Sequence, residues 1–128
     1  MPQTPMHPSD GELAILRVLW DRGPSTVRDV HTELSKDRDM GYTTVLKLLQ
    51  IMVEKGFVTR DERARSHVYE AAQGKESTQG RMLSDLLQKA FDGKAHALVT
   101  RALAEAPADE AELDAIQALI DRIRKERA

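Results

Sequence analysis

A chain of 128 residues, 41% hydrophobic and 31% charged, fits one domain or one small domain with an appendage. The absence of cysteine excludes disulfides, a thiolate nucleophile and cysteine-based metal sites, and it favours a reducing cytosol. The net charge is −2, and residues 1–72 carry ten Lys/Arg against eleven Asp/Glu, so no basic surplus announces nucleic-acid binding.

The N-terminal residues 1–8 contain three prolines and lack both the basic and the apolar region of a signal peptide, so they predict a disordered tail. Ser9 and Glu12 have the spacing of a capping box. We therefore expect a first helix over residues 10–21, ending before the Gly23-Pro24 pair. No apolar run is long enough to span a bilayer.

A second helix opens at Pro24-Ser25-Thr26, where Ser25 can be the cap, and ends near Ser35. Its apolar stripe consists of Val27, Val30 and Leu34. A third helix is predicted over residues 42–55, with Gly56 in the left-handed conformation directly after it. Its buried stripe consists of Val45, Leu48, Leu49 and Met52.

Two short runs of strand-forming residues, FVTRDE and SHVYEA, follow the third helix and predict a β-hairpin with Arg60, Arg63 and Arg65 at its tip and returning edge. Three helices followed by a hairpin is the element order of a winged helix-turn-helix. The predicted fold class is therefore mainly α with a small hairpin wing, in which residues 9–72 form the winged-helix domain.

The C-terminal part is predicted to begin with a connector over residues 71–80 and to continue as helices broken at Asp92-Gly93 and Pro107. Each of these helices offers one apolar stripe, too little for an independent core. A second copy of the chain would supply the missing partner, so residues 73–128 are predicted to be a helical dimerisation region. The predicted dimerisation residues are Met82, Leu83, Leu86, Leu87, Phe91, Leu98, Val99, Leu113, Ile116, Ile120 and Ile123.

The third helix carries the candidate base-reading side chains, because a helix fits the major groove and the apolar stripe turns the opposite face outward. The candidates are Tyr42, Thr43, Thr44, Lys47 and Gln50. Threonine can contact thymine methyl groups, and lysine can contact guanine or a phosphate. The alternative is that the threonines are ordinary residues of a first helical turn.

Candidate phosphate contacts lie on the hairpin and at the start of the second helix. Arg63 and Arg65 suit phosphates or a narrow minor groove, although the neighbouring Asp61 and Glu62 cancel charge locally. His67 is either a polar strand residue or a neighbour of a phosphate. The remaining two candidates, each either a phosphate contact or a helix cap, are Ser25 and Thr26.

No catalytic motif is present: the chain lacks GxSxG, Walker and GxGxxG sequences. Its four histidines are scattered without the spacing of metal ligands, and its carboxylates are spread along helix faces. The sequence therefore predicts no enzyme, no cofactor and no metal site.

The segments LAILRVLWDRGPSTVRDVH, GYTTVLKLLQIMVEKGFVTRDE and RSHVYEA resemble the penicillinase-repressor family, the BlaI/MecI type of bacterial transcriptional repressor. The resemblance covers nearly the whole chain. It implies a cytoplasmic homodimer that binds a near-palindromic operator and represses the genes downstream, as regulators of β-lactam resistance do.

The resemblance also implies a partner, a membrane sensor-protease that acts indirectly and leads to a cut between Asn and Phe in the second C-terminal helix. The corresponding stretch is 98–102, which places the cut near Arg101 and Ala102. Neither Asn nor Phe occurs there. A rival interpretation is a winged-helix protein–protein adaptor, supported by the balanced charge; a duplex affinity that falls steeply with salt would distinguish the two.

Overall fold

The structure, a computed structural model, describes residues 7–128, so most of the tail predicted over residues 1–8 lies outside the described residues. The described chain consists of six helices and three short strands, which confirms the predicted fold class. The elements are α1 (Asp10–Arg22), β1 (Ser25–Thr26), α2 (Val27–Leu34), α3 (Tyr42–Lys55), β2 (Val58–Asp61), β3 (Val68–Ala71), α4 (Lys75–Phe91), α5 (Ala95–Glu105) and α6 (Glu110–Arg127).

Helix α1 begins at the predicted capping box. The Ser9 backbone N–H donates to Glu12 Oε1 at 2.8 Å, and the Glu12 N–H donates to Ser9 Oγ at 3.3 Å. The Glu12 side chain is buried, and Lys55 Nζ at the end of α3 donates to its Oε2 at 3.1 Å. Burial raises the pKa of Glu12, but the bonds from Ser9 and Lys55 outweigh it, so the pKa lies below its ordinary value. This ion pair, which links α1 to α3, was not predicted.

The predicted hairpin is confirmed as antiparallel β2 and β3, with Arg60 opposite Tyr69. The short strand β1 was not predicted; it pairs with the other side of β3, giving the sheet order β1-β3-β2. The prediction that Ser25 caps the second helix is wrong. Thr26 is the cap: its Oγ1 accepts the Asp29 backbone N–H, and Asp29 Oδ2 accepts the Thr26 N–H, both at 3.1 Å.

Helix α3 has the predicted limits, and Gly56 at φ 82° ends it in the left-handed region that glycine adopts most readily. Three residues of its predicted stripe, Val45, Leu49 and Met52, are fully buried, whereas Leu48 is partly buried. They pack with residues of α1, α2 and the sheet into a single apolar core. The other core residues are Ile15, Leu16, Leu19, Val27, Val30, Leu34, Phe57, Val58 and Tyr69.

The connector predicted through residue 80 is too long, because α4 already begins at Lys75. One hydrogen bond ties the residues just before α4 to α1, and one residue of the first turn of α4 is buried. The Trp20 indole N–H donates to the Gln73 carbonyl at 2.9 Å, and the side chain of Thr78 is buried. The residues between them tolerate helix well enough for these contacts to decide the boundary.

The C-terminal helices break where predicted. Asp92 and Gly93 have φ of 50° and 75°, and Asp109 caps α6 by accepting the Glu112 N–H at 2.8 Å. The chain divides into a first compact unit ending at Met82 and a second, Leu83–Ala128. The boundary at residues 72 and 73 stays a prediction. None of the helices within residues 7–128 is long and apolar enough to cross a bilayer.

Candidate nucleic-acid interface

Helix α3 presents a polar face on the side opposite the core. Thr43, Thr44, Lys47 and Gln50 are exposed, while Val45 and the rest of the apolar stripe point inward. This separation follows from the helical period, which places side chains three or four residues apart on the same face. The face combines hydroxyl, methyl, ammonium and amide groups, which are the groups that recognise base edges.

Tyr42, the first residue of α3, is exposed and contacts the neighbouring helix α2. Its ring meets the His31 ring edge-on, with centroids 5.8 Å apart and an interplanar angle of 80°. This geometry is a favourable one for aromatic pairs. His31 therefore limits the orientations of a side chain that borders the polar face of α3.

A groove of about 430 Å³ brings together the start of α2, the start of α3 and the returning edge of the wing. The sequence predicted four of its lining residues as DNA contacts: Thr26, Tyr42, Arg65 and His67. The lining also includes Arg28 and Ser66, which were not predicted. Candidates that are far apart in the sequence thus line one surface.

Ser25 does not belong to this surface. Its side chain is 1% exposed, and its hydroxyl donates to the Gly23 carbonyl at 2.8 Å. The prediction that this hydroxyl contacts a phosphate is therefore wrong, because a contact with DNA requires exposure. The alternation of side chains in β1 turns Ser25 inward and leaves Thr26 half-exposed.

The wing arginines differ in their partners. The Arg63 guanidinium is 91% exposed but is held by Asp61, with Nε 3.0 Å from Oδ1 and Nη2 2.6 Å from Oδ2. These hydrogen bonds and the bond from the Arg63 backbone N–H lower the pKa of Asp61 to about 2. Arg60 is paired with Glu62 at 2.9 Å. Two of the three arginines therefore already have a carboxylate partner.

Arg65 is the wing arginine without such a partner. Among residues 7–128, no carboxylate oxygen lies within 4 Å of Arg65, Arg28 or Lys47 in an ion pair. Arg28 of α2 and Arg65 of the wing line one groove with Tyr42, the first residue of α3, and Lys47 lies on α3 itself. A unit with balanced charge can thus present a positive surface locally, because these three cations are not neutralised by an ion pair within the described chain.

The predicted dimerisation residues are largely exposed. Leu83, Leu86, Val99, Leu113, Ile120 and Ile123 range from 40% to 50% exposed, and so does Leu119, which was not predicted. The other five, Met82, Leu87, Phe91, Leu98 and Ile116, are half-buried. In the second unit no hydrophobic side chain of the described helices is buried. Apolar exposure on this scale is typical of a surface that associates.

Two further predictions can be located. Arg101 and Ala102 are exposed in the middle of α5, where Arg101 Nη1 lies 3.5 Å from Glu105 Oε1. Among residues 7–128 no three His, Cys, Asp or Glu side chains are grouped as a metal site would require.

Sequence reasoning missed Arg28 because a lone arginine in the second helix carries no motif. Its proximity to the wing depends on β1 pairing with β3, which brings Thr26 opposite Val68. A two-residue strand leaves almost no signal in the sequence, so the proximity could not be predicted from pattern.

Residues 8–122 match the family described as penicillinase repressor. Transcriptional regulator BlaI of Mycobacterium tuberculosis, from strain CDC 1551 / Oshkosh and from strain H37Rv, is 36% identical over 105 residues, which are 80% of this chain and 76% of BlaI. The structure of the transcriptional regulator Tm0710 from Thermotoga maritima is 13% identical with a TM-score of 0.51, covers 92% of this chain and 77% of that chain, and shares the fold.

A further similar structure is the solution structure of the Bacillus licheniformis BlaI monomeric form in complex with the blaP half-operator. It is 27% identical with a TM-score of 0.47, and the match covers 59% of this chain and 87% of that chain.

Proposed function

Because this chain belongs to the penicillinase repressor family and is thus a DNA-binding transcriptional repressor, not an enzyme, we propose that it binds a near-palindromic operator as a homodimer. Each winged helix would read one half-site, with α3 in the major groove and the wing on the backbone. The observation that carries this proposal is the exposed polar face of α3, which lies opposite a face whose Val45, Leu49 and Met52 are fully buried.

Base reading is assigned to Thr43, Thr44, Lys47 and Gln50, with Tyr42 at the margin. They occupy the first two and a half turns of α3, the part of a recognition helix that contacts base edges. Their exposure in the free protein means that contact with DNA needs no rearrangement of the core. The adaptor interpretation is set aside, since the family is one of DNA-binding repressors.

Replacing Lys47 by Ala should weaken operator binding by about 1–3 kcal/mol, the range of a good base contact. The fold should remain intact because the side chain is exposed. A titration of wild type and variant against the same operator measures the change. Lys94→Ala, which removes an exposed lysine at the start of α5, is the matched control and should bind like wild type. Unchanged binding by Lys47→Ala would remove this residue from the interface.

Phosphate binding by the wing is assigned mainly to Arg65, with His67 beside it and Arg63 as a second contact that must first leave Asp61. Thr26 contributes from the start of α2. When Arg63 binds a phosphate it gives up its hydrogen bonds to Asp61. The net gain in binding free energy is therefore smaller than for a free arginine, because one charge-assisted pair replaces another.

The slope of log affinity against log salt concentration should fall by about one for Arg65→Ala, as for one lost phosphate contact. The fall should be smaller for Arg63→Ala. Asp61→Asn should raise the affinity and steepen the slope, because it frees the Arg63 guanidinium. Binding of a duplex over a series of salt concentrations measures all three. Equal slopes for the two arginine variants would contradict the role of Asp61.

Homodimerisation is assigned to the apolar surface of α4, α5 and α6. Leucine and isoleucine recur at 113, 116, 120 and 123 in α6, the spacing of a helix–helix seam; Ile116 is half-buried and the other three are exposed. Pairing two heads raises operator affinity by effective concentration, without any new base contact. Derepression would follow from any signal that separates the two chains.

The inducing signal is proposed to act in the cytoplasm, through a membrane sensor-protease that acts indirectly. Arg101 and Ala102 lie within helical backbone, so a protease would have to unwind α5 locally to cut between them.

The experiment that tests the whole proposal is sequencing of the genomic DNA retained by the purified protein. A recurring near-palindrome upstream of genes is the expected result. Recovery of DNA without a common sequence would contradict operator recognition, and recovery of none would contradict DNA binding.

A further inference from the structure

The groove between α2, α3 and the wing is lined by Arg28 and Ser66 in addition to the residues predicted to contact DNA. Its lining includes two arginines, a histidine and four hydroxyl groups, but no aspartate or glutamate among the described residues. Resting on the proposed function, we infer that this groove holds a backbone phosphate of the operator, and that Arg28, together with Arg65 and Ser66, binds it.

The nearest objection is Asp29, which follows Arg28 in α2. Its carboxylate is already occupied: Oδ2 accepts the Thr26 N–H at 3.1 Å, and Oδ1 lies 3.2 Å from Arg22 Nη2. The hydrogen bond from Thr26 and the charges of Arg22 and Arg28 hold the pKa of Asp29 below its usual value, so the carboxylate remains ionised and bound. The Arg28 guanidinium makes no ion pair within the described chain and stays available for an outside anion.

Thr26 supports the same site. Its Oγ1 accepts the Asp29 N–H at 3.1 Å, which fixes the rotamer and leaves the hydroxyl hydrogen to donate. Arg28, Arg65, Ser66 and His67 are exposed, so the groove is open, in contrast to the enclosed and mostly apolar sites of small molecules. An open groove suits a backbone that passes through it.

The position of the groove agrees with this occupant. A helix lying in the major groove has a sugar–phosphate backbone along each side. Tyr42 and Leu46 of α3 form one wall of the groove, so the backbone strand beside α3 would pass between α2 and the wing. Arginine is the side chain best suited to bind two oxygens of one phosphate.

Binding of a random-sequence duplex tests the charge contribution of Arg28. Arg28→Ala should lower the affinity about tenfold and reduce the salt slope by about one, as for one lost charged contact. Arg28→Lys keeps the charge and should keep the slope. Arg17→Ala removes an exposed arginine from α1, outside this groove, and should leave both unchanged. If Arg28→Ala retains the wild-type affinity and slope, the inference is wrong.

Methylphosphonate substitution locates the phosphate. Neutral linkages are placed one at a time along the operator duplex recovered from genomic DNA. Wild type should lose affinity at each phosphate that it binds, whereas Arg28→Ala and Arg65→Ala should become insensitive at the same position in each half-site. Identical profiles for wild type and Arg28→Ala would overturn the inference. Absence of duplex binding by wild type would instead overturn the proposed function, so the two failures are distinguishable.

Discussion

Replacing Ile120 by Glu should convert the protein to monomers and weaken operator binding by a factor of about 100 to 10,000. Ile120 is 40% exposed in the single chain, so a carboxylate there is tolerated by the fold. In a two-fold symmetric seam the change would place two charges near each other in an apolar contact, which disfavours association. Sedimentation measures the mass, and titration of the full operator measures the affinity.

Ala118→Glu is the matched control. It adds the same charge to α6 about 200° around the helix from Ile120, away from the proposed seam. This variant should remain dimeric and bind like wild type. Binding to a single half-site should be unchanged in both variants, because α3 is untouched. A dimeric Ile120→Glu protein would show that α6 does not form the contact.

Replacing Lys55 by Met should lower the free energy of unfolding by about 2–3 kcal/mol. The Glu12 carboxylate is 2% exposed and would lose its cation without gaining water, whereas Lys55 is 36% exposed. Glu12→Gln should therefore cost less, about 1 kcal/mol, since Lys55 can turn to solvent and the amide oxygen can still accept the Ser9 N–H. Denaturant unfolding measures both values.

The same pair predicts how stability depends on pH. The pKa of Glu12 is lower in the folded chain than its ordinary value of 4.5. The contribution of Glu12 to the free energy of unfolding is therefore complete above pH 4.5 and declines as the pH falls through the folded pKa. Without Lys55 this depression weakens, and the stability gap between wild type and Lys55→Met should narrow on acidification. Lys36→Met, which breaks an exposed pair with Glu33, should cost no more than about 0.5 kcal/mol. If Lys55→Met and Lys36→Met lowered the free energy of unfolding equally, the proposed difference between the buried and the exposed ion pair would be wrong.

Several features of this protein were determined by short stretches of sequence. The Ser9–Glu12 capping box and Gly56 set the limits of α1 and α3 because each acts through backbone groups within one helical turn. The apolar stripe of α3 fixed which face is buried, and so which side chains are exposed on the opposite face. These features depend on interactions within a few residues, so they could be predicted from the sequence.

Other features were decided only when distant segments met. Glu12 and Lys55 are 43 residues apart, and the sequence pattern of neither helix predicts that the two side chains pair. Ser25 is buried, and Arg28 borders the wing, because β1 pairs with β3. Helix α4 starts earlier than predicted, where Trp20 bonds to Gln73 just before the helix and Thr78 in its first turn is buried. Such contacts depend on three-dimensional proximity, which a pattern spanning a few residues does not encode. Periodicity thus determined which face of α3 is exposed, and tertiary packing decided which charged side chains lie near it.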